Sequence, residues 1–207
     1  LLQGTRSVIE VDSFEQTCRN IFDYCREITG AQSGYVALLS DDGEENELLF
    51  LESGGYACNV DPDLPMPVRG LRAEAYNTGR VVYDNDFMNS KWIKYMPEGH
   101  ADLENVLFAP LNVGGKTQGI MGLANKENGF TENDVRLGGA FGEIAALALQ
   151  KSRDRLALQE SEKRFRTVLE TVQLCCRQIR ETEPLINALV HVDEQGAAEQ
   201  AKDLDRL

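Results

Sequence analysis

The stretch at 105–151, NVLFAPLNVGGKTQGIMGLANKENGFTENDVRLGGAFGEIAALALQK, limits the fold more than any other segment of this chain. Two apolar runs, 106–113 and 118–124, flank Gly114-Gly115, which supplies the positive φ angles of a tight hairpin turn. The first run, Val-Leu-Phe-Ala-Pro-Leu at 106–111, is nearly continuous in apolar residues, so both of its faces must be covered. Pro110 has no N–H for a ladder and belongs at a bulge or with its nitrogen turned away from the neighbouring strand. Thr131-Glu-Asn-Asp134 is a capping-box variant that opens a helix. A sheet is thereby joined through a short link to a helix that runs far beyond it.

Upstream, Phe14, Cys18, Ile21, Phe22, Cys25 and Ile28 recur at helical spacing, predicting an amphipathic helix over 13–29 with Asp12 or Ser13 as N-cap and Gly30 as its stop. Strands at 35–39 and 47–51 flank a polar turn and form a first hairpin. From 54 to 103 the periodicity fails at Gly54-Gly55, Pro62, Pro65 and Pro67. Within that segment a short helix is expected at 71–78, stopped by Gly79, then a strand at 80–83 and a loop or broken helix at 85–95. So long a connection in a compact domain reads as a functional roof or lid.

The C-terminal helix forms a rod. Leu158, Phe165, Val172 and Ile179 repeat at seven, with Leu169 and Cys176 four residues after two of them, the pattern of a short coiled-coil seam that Glu162 interrupts. Thr182 and Pro184 are expected to end it, with further helices at 185–192 and 197–207 separated by Gly196. The expected organisation is a sensory domain at 1–152, a signalling helix at 153–181, and the start of another region at 182–207. A chain that starts at Leu1 and stops inside a helix reads as a piece of a longer protein.

With a formal charge of -13 and no Lys/Arg block, neither nucleic acid nor an anionic membrane surface is an expected partner. No apolar run reaches the roughly 20 residues of a membrane span, and no secretory leader is present. The five cysteines are odd in number and lack a C-x-x-C pair, against a disulfide framework or structural zinc. The expectation is a cytoplasmic chain with reduced thiols and no metal site.

Residues 7–152 resemble a GAF domain, the small-molecule sensor module of signalling proteins, here of the bacterial or archaeal sensor histidine kinase type. The resemblance rests on Gly70-Leu-Arg-Ala-Glu-Ala75, on Thr78-Gly79-Arg-Val-Val, on the hairpin, and on Asn125, Lys126, Phe130 and Asp134. That last group is similar to the Asn-Lys...Phe...Asp-Glu signature of cyclic-nucleotide-binding members, with Val135 in place of the final Glu. Gln159 to Arg166 is similar to the connector that leads from such domains to output modules. The resemblance implies an α+β fold, an antiparallel sheet flanked by helices with a long C-terminal signalling helix, in a two-component system. It implies a regulatory, non-catalytic role: a small-molecule ligand changes the packing of the roof, and the helix passes the change on within a homodimer paired through 153–181.

The resemblance brings two cofactors, haem and, behind it, cyclic nucleotide; the residues leave the identity open. His100 is one of only two histidines. It is a candidate axial haem ligand with Cys58 as a thiol near the porphyrin, or alternatively a turn residue bonded to backbone carbonyls. Tyr83, Phe87, Trp92, Tyr95 and Met96 suit a flat apolar ligand, and equally a lid packed on the sheet. Lys126 and Asp134 read as an exposed, screened pair fastening the last strand to the helix. The third alternative is a ligandless dimerisation module. No P-loop, Gly-x-Ser-x-Gly or His-Glu-x-x-His motif is present, and a free methionine sulfoxide reductase is disfavoured because its resolving cysteines have no counterpart at the expected loop.

Overall fold

A computed structural model describes residues 2–61 and 64–186, together with 196, 199 and 200. Contacts divide the chain into two compact units, Leu1–Lys151 and Ser152–Leu207. The first contains α1 (Leu2–Thr29), β1 (Ser33–Leu39), β2 (Asn46–Glu52), α2 (Leu71–Thr78), β3 (Val82–Asp84), β4 (Val106–Val113) and β5 (Lys116–Ala124). The terminal helix α3 (Glu132–Ile186) starts in the first unit and runs into the second. Among the described residues, no helix is long and apolar enough to cross a membrane.

The strands make one five-stranded sheet in the order β2-β1-β5-β4-β3, and every neighbouring pair is antiparallel. Alternation along the strands separates two cores, since successive side chains point to opposite faces. Val36, Leu107, Ala109, Leu111, Met121 and Leu123 join the core that includes Cys18, Phe22 and Cys25 of α1 and Ala145 and Ala146 of α3. Ala37, Val106, Phe108, Ile120 and Ala124 join the opposite core with Leu71 and Ala75 of α2 and Phe87. β4 is thus covered on both faces from Val106 to Leu111, as its apolar run demands.

β3 pairs only with Val106 to Phe108, which leaves Pro110 beyond its end and costs that edge no ladder bond. Gly114 and Gly115, at φ 59° and 79°, form the two-residue turn, so β5 begins at Lys116, two residues before the strand read from sequence. α3 approaches β4 through glycines whose packing the sequence does not announce. A Cβ at Gly142 would stand 2.7 Å from the Pro110 carbonyl oxygen, and one at Gly138 3.0 Å from a Leu107 methyl.

Several expectations are corrected. α1 begins at Leu2 rather than at an Asp12 or Ser13 cap. A cap residue expresses a local preference worth about 1 kcal/mol, and with no proline upstream the helical ladder simply continues. Ile28 is 58% exposed, because the buried face runs Cys18, Phe22, Cys25 and then Thr29, whose hydroxyl donates to the Cys25 carbonyl at 2.7 Å. α3 passes Pro184 and ends at Ile186, since one lost ladder bond is tolerated within a long helix. Gly196, expected to lie between helices, is itself helical, and the rest of 187–207 lies outside the described residues apart from 199 and 200. As expected of a broken helix, residues 85–95 contain two single 3-10 turns, Phe87–Asn89 and Ile93–Tyr95.

Candidate functional site

On the face opposite α1 and α3, the register aligns Tyr35 of β1, Gly122 of β5 and Phe108 of β4 in one row. A Cβ on Gly122 would lie 2.7 Å from the Tyr35 ring, so glycine there is what lets the ring lie across the sheet. The Tyr35 and Phe108 rings stand 6.4 Å apart, tilted at 56°. They floor a cleft of about 100 Å³, walled by Leu51, Leu103 and Val106 and roofed by Tyr56, Cys58 and His100.

Two hydrogen bonds hold the roof. Tyr56 donates its hydroxyl to Gln32 Oε1 at 2.7 Å, and the Asn59 N–H donates to the Gly99 carbonyl at 2.9 Å. The second bond draws the Cys58 loop beside the His100 loop, which is why residues 42 apart in sequence share one cleft. Gly54 makes the turn into the roof at φ 61°, with its Cα so close to Gln32 that a Cβ would meet the Gln32 oxygen at 2.4 Å. His100 Nδ1 lies 2.7 Å from the Ala101 carbonyl oxygen. A carbonyl only accepts, so Nδ1 carries the proton, and in the neutral ring Nε2 keeps its lone pair.

Asn125 forms the rim. Its backbone is left-handed, φ 57°, and its carboxamide accepts from the Glu104 N–H at 2.9 Å and donates to the Asp102 carbonyl at 3.0 Å. The buried Asn105 side chain in turn bonds the Lys126 backbone through both amide atoms at 2.9 Å. The loop before β4 is thereby tied to the end of β5.

The next residue, Lys126, reaches the other way. Its ammonium sits 2.6 Å from Asp134 Oδ2, and that oxygen also accepts the Thr131 N–H and hydroxyl, both at 2.7 Å. The Asp134 N–H closes the box on Thr131 Oγ1 at 3.4 Å. The pair is not the exposed one read from sequence: Asp134 is only 3% exposed, because the capping turn lies against the sheet. Burial pushes the Asp134 pKa up, but the bonds from Lys126 and Thr131 and the lysine charge outweigh it and hold the carboxyl below its ordinary value. Phe130 is buried in the helix-side core, and its backbone N–H and C=O pair with the Asn85 side chain at 2.7 and 2.9 Å.

Of the aromatic and sulfur side chains considered for the pocket, His100 and Cys58 line the cleft, while the others stand elsewhere. Phe87 is buried in the roof-side core, with Trp92 and Met96 packed against it. Tyr95 lies on Gly70 and takes the Arg69 and Lys94 charges over its ring. Tyr83 is exposed on β3 and donates to Glu132 at 3.3 Å. Tyr35, Tyr56, Phe108 and Glu52 line the cleft without having been singled out from sequence. The only signal that bears on them is the strand register, which local patterning does not fix. Among the described residues, no group of three His, Cys, Asp or Glu side chains could hold a metal ion.

All five thiols are free. Burial lifts Cys18 and Cys25 to about 12, whereas Cys58 and Cys175 are exposed. Iodoacetamide at pH 8 should therefore alkylate Cys58 and Cys175 in the native protein and reach Cys18 and Cys25 only after unfolding, as read by peptide mass spectrometry. Labelling of Cys18 as fast as Cys58 would contradict the packing described for α1.

A small antiparallel sheet with α1 and α3 on one face, and α2 and a roofed cleft on the other, makes this an α+β domain. Residues 11–150 match the family model described as GAF domain, and the chain belongs to that family. It is 28% identical over 149 residues to the methyl sulfide methyltransferase-associated sensor of Methanosarcina acetivorans, a match covering 65% of this chain and 15% of that protein. Among solved structures, the GAF domain of a phosphoenolpyruvate-protein phosphotransferase from Coxiella burnetii aligns with a TM-score of 0.59 at 19% identity, over 74% of this chain and 94% of that one. The type II free methionine-R-sulfoxide reductase of Thermoplasma acidophilum aligns with a TM-score of 0.56 at 11% identity, over 69% and 96%. At such identities the two structures show a shared fold alone.

The reductase overturns one expectation. A non-catalytic role was inferred from absent motifs and missing cysteines, yet this fold is also that of an enzyme. The architecture does not separate sensors from catalysts.

Proposed function

We propose that this domain is a regulatory sensor whose small-molecule ligand enters the cleft between Tyr35, Phe108 and Tyr56, and whose state is passed through α3 to a downstream output module. One observation carries this reading: adjacent residues face the two ends of the path. Asn125 lines the cleft, and Lys126 holds Asp134 in the first turn of α3. A ligand that shifts the rim therefore pulls on the clamp, provided it binds one of two rim positions more tightly than the other. The Methanosarcina relative, a sensor by name, supports the role. The cleft also speaks against a cyclic nucleotide, because no Lys or Arg is among its described lining residues to meet a phosphate.

A second reading, haem, is favoured by the placement of His100 and Cys58 on one cleft and by the tautomer that leaves His100 Nε2 a lone pair. His100 would be the axial ligand and Cys58 the neighbouring thiol, with haem supplying redox or diatomic-gas chemistry. The cleft of about 100 Å³ is below the roughly 300–1,000 Å³ of ordinary ligand sites, so the exposed 53–59 loop would have to stand further from the sheet. An absorption spectrum of purified protein separates the readings: a Soret band that shifts in His100→Ala establishes haem. Its absence after haem reconstitution, with a small ligand released on denaturation and detected by mass spectrometry, supports the first. No released ligand and no thermal shift with any metabolite would leave neither standing.

Homodimerisation belongs to the same proposal. In the second unit Leu158 is 61% exposed, and Phe165, Val172 and Ile179 continue its heptad position half-buried along α3. Light scattering of the whole chain is expected to give twice the chain mass, and Val172→Asp to give a monomer with an unchanged circular dichroism spectrum. A monomeric unmodified chain at tens of micromolar would refute the pairing.

A further inference from the structure

The lining of the cleft is chemically one-sided. Three aromatic rings, Tyr35, Tyr56 and Phe108, and one carboxylate, Glu52, are present, with no Lys or Arg among the described lining residues. We infer that the cleft takes a small methylated onium cation, such as a quaternary ammonium or a sulfonium group; this rests on the small-molecule reading of the same cleft. Aromatic faces attract a cation within about 6 Å of the ring centroid. With the Tyr35 and Phe108 centroids 6.4 Å apart, a cation seated above the pair is within that reach of both.

Leu51, Leu103 and Val106 add apolar side chains to the wall, and the methyl groups of an onium cation present a matching apolar surface to them. Glu52, the last residue of β2, borders the cleft, with the Gly54 N–H donating to its Oε1 at 3.2 Å. The Arg72 guanidinium donates to the Tyr35 hydroxyl at 3.4 Å, which puts its charge at the rim of the ring and outside the lining. The volume of about 100 Å³ suits a ligand of a handful of heavy atoms rather than a drug-sized one.

The test is calorimetric titration of the whole chain with choline and with 3,3-dimethylbutan-1-ol, its uncharged isostere. Choline is expected to bind at least ~10-fold more tightly than the isostere, and Phe108→Leu to cut choline affinity about fivefold while leaving the isostere unchanged. Phe108→Leu keeps apolar volume, and its thermal melt checks that it folds. Equal or tighter binding of the isostere would overturn the onium assignment and leave the small-molecule sensor reading intact. Binding of neither compound, with a Soret band on haem addition, would overturn it in favour of haem. Binding of neither, with no bound species of any kind, would remove the sensor reading as well.

Discussion

Asp134→Ala is expected to destabilise the domain by about 3 kcal/mol, the lower end for breaking a buried ion pair, because the Lys126 ammonium is still able to swing to water. The loss is large because a single oxygen, Oδ2, serves Lys126, the Thr131 N–H and the Thr131 hydroxyl. For a domain of this size the change amounts to a fall of roughly 6–12 °C in melting temperature. Asp134→Asn keeps an acceptor for the Thr131 N–H and should lose less. The pH dependence follows from the depressed carboxyl. A group whose pKa is lower in the folded state contributes stability above its unfolded value, about 3.9, and loses it as pH falls through the folded value. The gap between the unmodified protein and Asp134→Asn should therefore be full at pH 7 and close progressively below about pH 4. A gap independent of pH would show that the clamp acts through shape rather than charge.

Phe22→Ala should cost about 3–5 kcal/mol, the range for emptying a fully buried aromatic site. Phe22 has no exposed surface, and its ring meets Phe50 edge to face at a centroid separation of 5.4 Å. It also fills the space above Gly34, where a Cβ would stand 2.8 Å from the ring. Backbone from β1 and the α1 side chain thus share one tight contact, and the site has little freedom to collapse. Urea denaturation is the measurement; a midpoint within error of the unmodified protein would show that α1 does not belong to the cooperative core.

These two residues were legible to different degrees. Phe22 falls in the 18, 22, 25 spacing that names an amphipathic face, so its burial follows from periodicity. Asp134 was legible as a capping-box partner, three residues after Thr131. Its burial was not, because solvent exposure depends on whether the capping turn meets the sheet. Ile28 shows the same limit. It fits the helical apolar pattern, yet the face that packs ends on Thr29, since the sheet and not the helix decides which flank is covered.

For the cleft, sequence reasoning reached His100 and Cys58 because their chemistry is unusual in this chain. It passed over Tyr35, Tyr56 and Phe108, which carry no local mark. Tyr35 and Phe108 face one ligand-sized space only because β1, β5 and β4 align them across Gly122. The clustered aromatics Phe87, Trp92 and Tyr95 suggested a pocket by composition, and their packing positions them in the roof-side core or on Gly70.

By itself the sequence determined the elements that local chemistry dictates. These are the Gly114-Gly115 hairpin, the 71–78 helix stopped by left-handed Gly79, the doubly covered β4 run and the Thr131 cap. Each follows from backbone geometry or from a period of two or 3.6 residues, which neighbours in the chain are enough to specify. Only the tertiary structure decided what lies between elements. The close approach of α3 to β4 at Gly142, the burial of Asp134 and the meeting of the Cys58 and His100 loops depend on residues far apart in sequence. Such contacts are settled by strand register and packing, which no local pattern encodes.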